Sequence, residues 1–164
     1  MALAIDPSGS LYVAVQNLGY GGATTGNEID VWEGDWHGGE GVGAPSRVIT
    51  GPNTGLEFPS GMAFDTSGNL YVLNGLSITV YPPGANGNVS PIRTIRSHPA
   101  DNFLYNQGIA LDVYGNLYVS QGEPARILVF APGAYGDVVP IRIIQGDQTQ
   151  FASGGVISAG AIGP

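Results

Sequence analysis

Gly108-Ile-Ala-Leu-Asp112-Val-Tyr-Gly115-Asn-Leu-Tyr118-Val119 reads as two short strands joined by a tight turn. Ile-Ala-Leu is an apolar run of strand length, and Leu-Tyr-Val is rich in strand formers. Between them, an aspartate side chain bonds backbone two residues on, and a glycine accepts positive φ. The segment occurs earlier as Gly61-Met-Ala-Phe-Asp65-Thr-Ser-Gly68-Asn-Leu-Tyr71-Val72 and as Asp6-Pro-Ser-Gly9-Ser-Leu-Tyr12-Val13. The aspartates are 59 and 47 residues apart, and Gly61, Gly108 and a degenerate copy opening at Gly155 are spaced 47 and 47.

Two more markers keep the same order. Ile29-Asp-Val-Trp32, Ile78-Thr-Val-Tyr81 and Ile127-Leu-Val-Phe130 are offset by 49 and 49. Pro45-Ser-Arg47-Val-Ile49, Pro91-Ile-Arg93-Thr-Ile95 and Pro140-Ile-Arg142-Ile-Ile144 follow, each with a glycine four residues before its proline: Gly41, Gly87 and Gly136. The chain is therefore an internal repeat. Each unit predicts four strands: the run before the aspartate, Leu-Tyr-Val, Ile-x-Val-aromatic, and Arg-x-Ile. Prolines in the link between third and fourth strands are expected to stop the ladder.

Composition agrees. Of 164 residues, 27 are glycine and 12 proline, yet 43% are hydrophobic, and only 11% are charged. Long helices carry charge on their wet face, so this composition disfavours them, and no window sustains a 3.6-residue apolar period. The fold class predicted is all-β: propeller blades of four antiparallel strands, about three blades per chain. A unit of ~47 residues with four short strands has the size of one blade, which must stack on neighbours to bury both faces. The blades span about 2–50, 61–95 and 108–145 of a single half-propeller over 1–164, with a partial strand in 151–164. Rings hold about four to eight blades. A second copy is expected to complete a ring of about six; the other reading is a fragment of a longer protein.

The consensus Gly-Ile-Ala-x-Asp-x-x-Gly-Asn-Leu-Tyr-Val, with Ile-x-Val-Phe-x-Pro-Gly-Ala and Pro-x-Arg-x-Ile after it, resembles the NHL-repeat propellers of the bacterial secreted or surface type. Residues 108–144 match best and 61–95 closely. The first copy has Ala2 in place of the leading glycine and two insertions, and the fourth has Ala159 where the aspartate belongs. The resemblance implies the propeller fold and favours an extracellular or cell-surface location. It does not choose a function, because such relatives include protein- and RNA-binding scaffolds, lyases, lactonases and surface modules.

Charge and missing residue types narrow the chemistry. Thirteen acidic against five basic side chains give a net charge of −8. Nucleic acid and anionic membranes, which need a basic face, are not expected as partners. With no cysteine, disulfides, thiolate zinc sites and thiol nucleophiles are excluded. No apolar run reaches the ~20 residues of a membrane helix, and Met1 is not followed by the pattern of a signal peptide. No nucleophile elbow, P-loop or zinc helix motif is present, so no catalytic residue is assigned.

The recurrent Asp6, Asp65 and Asp112 read either as a ring of carboxylates or, as we favour, as turn-pinning residues. Arg47, Arg93 and Arg142 read as rim residues whose stems cover apolar surface. Departures from the repeat carry more information. Tyr12 and Ile29 are 17 residues apart, against 7 for Tyr71 and Ile78. The polar, glycine-rich insert 16–28 is a candidate ligand loop. It shares a face with the ends of second strands and the starts of first strands, where propellers bind ligands at the channel mouth. The candidates there are Gln16, Asn17, Tyr20, Asn74, Gln107, Gln121 and Glu123, with Ser60 beside them. A second group lies in one link: Trp32, Asp35, Trp36, His37 and Glu40. Lone His98 reads as a loop residue.

The leading expectation is a non-enzymatic binding or scaffold module, a homodimer with a protein or glycan ligand and no cofactor. The alternative is a metal-dependent, lactonase-like hydrolase or lyase with a divalent cation such as calcium on the axis. Glu28, Glu57, Asn74, Asp101 and Glu123 would be its candidate oxygen ligands.

Overall fold

The computed structural model describes residues 2–18, 24–34, 43–98, 106–149 and 151. The described chain is all-β, with a single 3-10 turn at Asp147–Thr149 and no α-helix. Three open sheets follow one another in sequence. The first contains β1 (Ala2–Ile5), β2 (Leu11–Leu18), β3 (Thr24–Trp32) and β4 (Arg47–Thr50), paired in that order. The second contains β5 (Gly61–Phe64), β6 (Leu70–Leu73), β7 (Ile78–Tyr81) and β8 (Arg93–Ser97). The third contains β9 (Asn106–Leu111), β10 (Leu117–Gly122), β11 (Ala125–Phe130) and β13 (Arg142–Ile144). All these pairings are antiparallel and put equivalent residues opposite each other: Val31 faces Arg47, Val80 faces Arg93, and Val129 faces Arg142.

Side-chain alternation then sends each sheet's two faces into different cores. Tyr12, Ala14, Ile29, Val31 and Ile49 of the first sheet pack against Met62, Leu70, Val72 and Tyr81 of the second. The second sheet's opposite face, with Tyr71, Leu73, Ile78, Val80 and Ile95, packs against Ile109, Leu117, Val119, Leu128 and Phe130 of the third. Both central strands of the middle sheet, β6 and β7, are buried at every position. That continuous burial marks a sheet covered on both sides. β1 instead exposes Leu3 and Ile5 and keeps only Ala2 buried. The inner strands sit side by side, and Gly61 shows why the repeat opens with glycine. A Cβ there would lie 3.1 Å from Ile109 Cγ2 on the neighbouring strand.

Two details differ from expectation. The insert 16–28 is largely strand, because β2 continues to Leu18 and β3 starts at Thr24, with Gln16 opposite Asn27 and Val15 opposite Glu28. The described residues of the insert find ladder partners in each other, so 16–18 and 24–28 lengthen a hairpin, and 19–23 lie outside the described residues. The prolines of the link between third and fourth strands end the ladder as expected, at Tyr81 and Phe130, but the link then takes up pairing with another sheet. After its proline turn, β12 (Gly136–Val138) lies parallel to β8 of the preceding sheet, with Gly136 opposite Ile95. Gly87 makes the same parallel bridge to Ile49, its N–H donating to Val48 O at 2.7 Å and its carbonyl accepting from Thr50 N at 3.1 Å. Outer strands are thereby tied to the next sheet by backbone hydrogen bonds.

Candidate functional site

The three aspartate turns lie at one end of the stack. Asp65 Oδ1 accepts the Ser67 and Asn69 amides, both at 2.9 Å, and Asp112 Oδ1 accepts those of Tyr114 (3.0 Å) and Asn116 (2.8 Å). Asp6 Oδ1 does the same for Ser8 and Ser10 at 2.9 Å. The second oxygens take Asn69 Nδ2 (2.8 Å) and Asn116 Nδ2 (2.7 Å), and Asp112 also accepts the Tyr118 hydroxyl at 3.1 Å. Gly9, Gly68 and Gly115 have φ of 89°, 80° and 83°, the left-handed region that closes each turn. These carboxylates are turn pins. Hydrogen bonds led by Asn116 hold Asp112 below the usual carboxylate range. At Asp6 burial pushes the pKa up, but the bonds from Ser8 and Ser10 outweigh it and the net shift is downward.

β1, β5 and β9 line a trough of ≈570 Å³, walled by Leu3, Ala63, Phe64, Ile109 and Ala110, with the three aspartate turns at one end. Its walls are mainly apolar, with Asp6, Asp65, Thr66 and Asp112 supplying the polar end.

At the opposite end, several expected ligand-binding amides are committed to the protein itself. Asn74 is 1% exposed. Its Nδ2 donates to Thr79 Oγ1 (3.0 Å) and Val72 O (3.2 Å), and its Oδ1 accepts the Glu57 amide (3.0 Å). Gln121 is buried too, accepting from Arg126 Nε at 2.7 Å and donating to Asn106 Oδ1 at 3.3 Å. Gln16 Nε2 donates to Pro59 O at 3.1 Å, joining the first sheet to the chain entering the second. Ser60 donates to Leu73 O at 3.3 Å. Gln107 is half-buried with its amide against Gly122, and Glu123 is exposed in the β10–β11 turn. Asn17 lies in β2 opposite Gly26. Tyr20, Asp35, Trp36, His37, Glu40 and Asp101 lie outside the described residues.

Trp32 is half-buried and its indole donates to Gly43 O at 2.8 Å. Glu28 and Asp30 alternate with Ile29 and Val31, so they stand on the first sheet's uncovered face. Burial, and then the neighbouring Glu28 charge, raise the Asp30 pKa. Among the described residues no three carboxylates or imidazoles gather in a metal-ligating group.

Two further features were not read from the sequence. Asn106 Nδ2 is buried without a hydrogen-bond partner. On the outer rim, Arg47 donates to the Tyr12 hydroxyl and, across to the second sheet, to Ala85 O at 2.8 Å. Arg93 bonds the Tyr71 hydroxyl and extends toward Gly133 in the third sheet's link. The recurrence of arginine once per repeat was the available signal, but not its partner. No family model matches the chain, and no curated protein matches it.

Proposed function

We propose that this chain is a non-enzymatic binding or scaffold module, built as half of an NHL-like β-propeller whose ring a second copy completes. The observation that carries the reading is a difference within one repeat position. Leu3 and Ile5 are 63% and 56% exposed, whereas their counterparts Met62 and Ile109, and Leu111, are 8%, 4% and 8% exposed. The third sheet shows the same shortfall at its far side. Ile127 and Ile144 are half-buried where Ile78 and Ile95 are 0% and 1% exposed. A stack of sheets with apolar ends is an association surface.

Two features support binding over catalysis. The trough is walled mainly by apolar side chains, and each carboxylate at its end is engaged by hydrogen bonds within its own turn. A protein or glycan partner is proposed for this trough once the ring is assembled. Sedimentation equilibrium tests the assembly. A mass of twice the 16.9 kDa chain is expected at micromolar concentration, and a clean monomer would defeat the reading.

A further inference from the structure

Resting on that reading, we propose that the two copies join head to tail, the third sheet of each seating on the first sheet of the other, with Tyr118 against Ile5 and Arg142 reaching the partner's Glu33. The chain holds two finished examples of this junction. In the first, Tyr12 of the leading sheet meets Phe64 of the following sheet edge to face, ring centroids 4.9 Å apart. Arg47 lies over the Tyr12 ring at 5.7 Å and donates to Ala85 O in the link after the following sheet's third strand. In the second, Arg93 lies over Tyr71 at 5.5 Å and points to Gly133 in the equivalent link.

The chain's two ends carry the two halves of a third junction. On the leading side, Tyr118, Ile127, Val129, Arg142 and Ile144 occupy the positions of Tyr71, Ile78, Val80, Arg93 and Ile95. Here Arg142 is exposed, and the Tyr118 hydroxyl turns to Asp112 instead of to an arginine. On the following side, Ile5 occupies the position of Phe64, and Trp32 that of Tyr81 and Phe130. Both of those are fully buried where Trp32 is half-buried. The link after Trp32 opens with exposed Glu33, which already accepts a 2.7 Å bond from Arg47 and offers a negative end to a second guanidinium. Like faces would bring Leu3 to Leu3 and leave both Arg142 side chains away from Glu33. Unlike faces continue a junction the chain already makes twice. A heterologous contact of this kind closes when the rotation per sheet permits, and two copies then make two identical seams.

The chain contains no cysteine, so introduced thiols report the geometry directly. The test is oxidative or short bis-maleimide cross-linking of Ile5→Cys, Tyr118→Cys and the double variant, each checked for native circular dichroism. A covalent dimer from the double variant alone is expected. Efficient cross-linking of Ile5→Cys to itself would overturn the head-to-tail arrangement. Arg142→Ala, which leaves the cores untouched, is expected to weaken the wild-type dimer at least tenfold. Arg96→Ala, an exposed arginine on the middle sheet, is expected to leave it unchanged. Equal dimer affinity for both variants would overturn the role of Arg142. A wild-type monomer would instead remove the ring reading itself, so the two failures are distinguishable.

Discussion

Arg47 and Tyr12 are joined guanidinium to hydroxyl at 3.1 Å, on one face and across the intervening strand β3, and the same guanidinium holds Glu33 at 2.7 Å and Ala85 O at 2.8 Å. One side chain thus links its own sheet, its own link segment and the neighbouring sheet. Nε, Nη1 and Nη2 each serve a different acceptor, a spread that the single nitrogen of an ammonium does not reproduce. Arg47→Lys is expected to lower stability by about 1–3 kcal/mol, because an ammonium leaves at least one of these acceptors unbonded. Urea denaturation checks this, and an unchanged midpoint would show the three bonds to be dispensable.

Asp65→Ala removes the acceptor for two backbone amides and the Asn69 side chain. A loss of about 1–3 kcal/mol is expected from the orphaned donors. Asp65→Asn keeps one acceptor oxygen and should recover part of it. A thermal melt that ranks the alanine variant equal to wild type would contradict the turn-pin role.

The downward shifts of Asp6 and Asp112 set the acid limit. Their unfolded value is about 3.9. A depressed folded pKa contributes stability that is complete above the unfolded value and is lost as pH falls through the folded one. Stability is expected to be level above about pH 5 and to fall below about pH 4, with a shallower fall in Asp112→Asn. Urea midpoints across pH 2–7 measure both slopes.

At the alkaline end the sign reverses. Tyr81 is fully buried, its hydroxyl donates to Thr54 O, and burial pushes its pKa up to about 12. That contribution is complete below the unfolded value of about 10 and is lost as pH rises toward 12. The linked effect is about 2–3 kcal/mol. Tyr71, through burial, and Tyr118, chiefly through its bond to Asp112, shift the same way. Tyr81→Phe should flatten the alkaline limb, and an unchanged limb would place the transition elsewhere.

Carboxylates committed to their own turns also predict indifference to calcium. The aspartate turns close on backbone amides, so millimolar calcium or chelator is expected to leave the melting temperature of the protein within about a degree. A rise of several degrees with calcium would point to the cation-holding alternative.

The sequence by itself determined the four repeated strands of each unit, their first turns and the facing of their side chains. Those depend on contacts a few residues apart: Asp65 with Ser67 and Asn69, Leu70 alternating with Tyr71 along β6. The repeat copied them three times. Tertiary structure alone decided the rest. Asn74 and Gln121 look like ligand-binding amides in the chain. They are buried and spent because strand pairing brings Thr79, Arg126 and Asn106 beside them and the link before β5 brings the Glu57 amide. The parallel stitch of Gly136 to Ile95 joins residues of different sheets and has no local pattern. Leu3 and Met62 occupy the same repeat position. One is exposed and the other buried because a neighbouring sheet covers only Met62, and burial is a property of neighbours that local sequence does not encode.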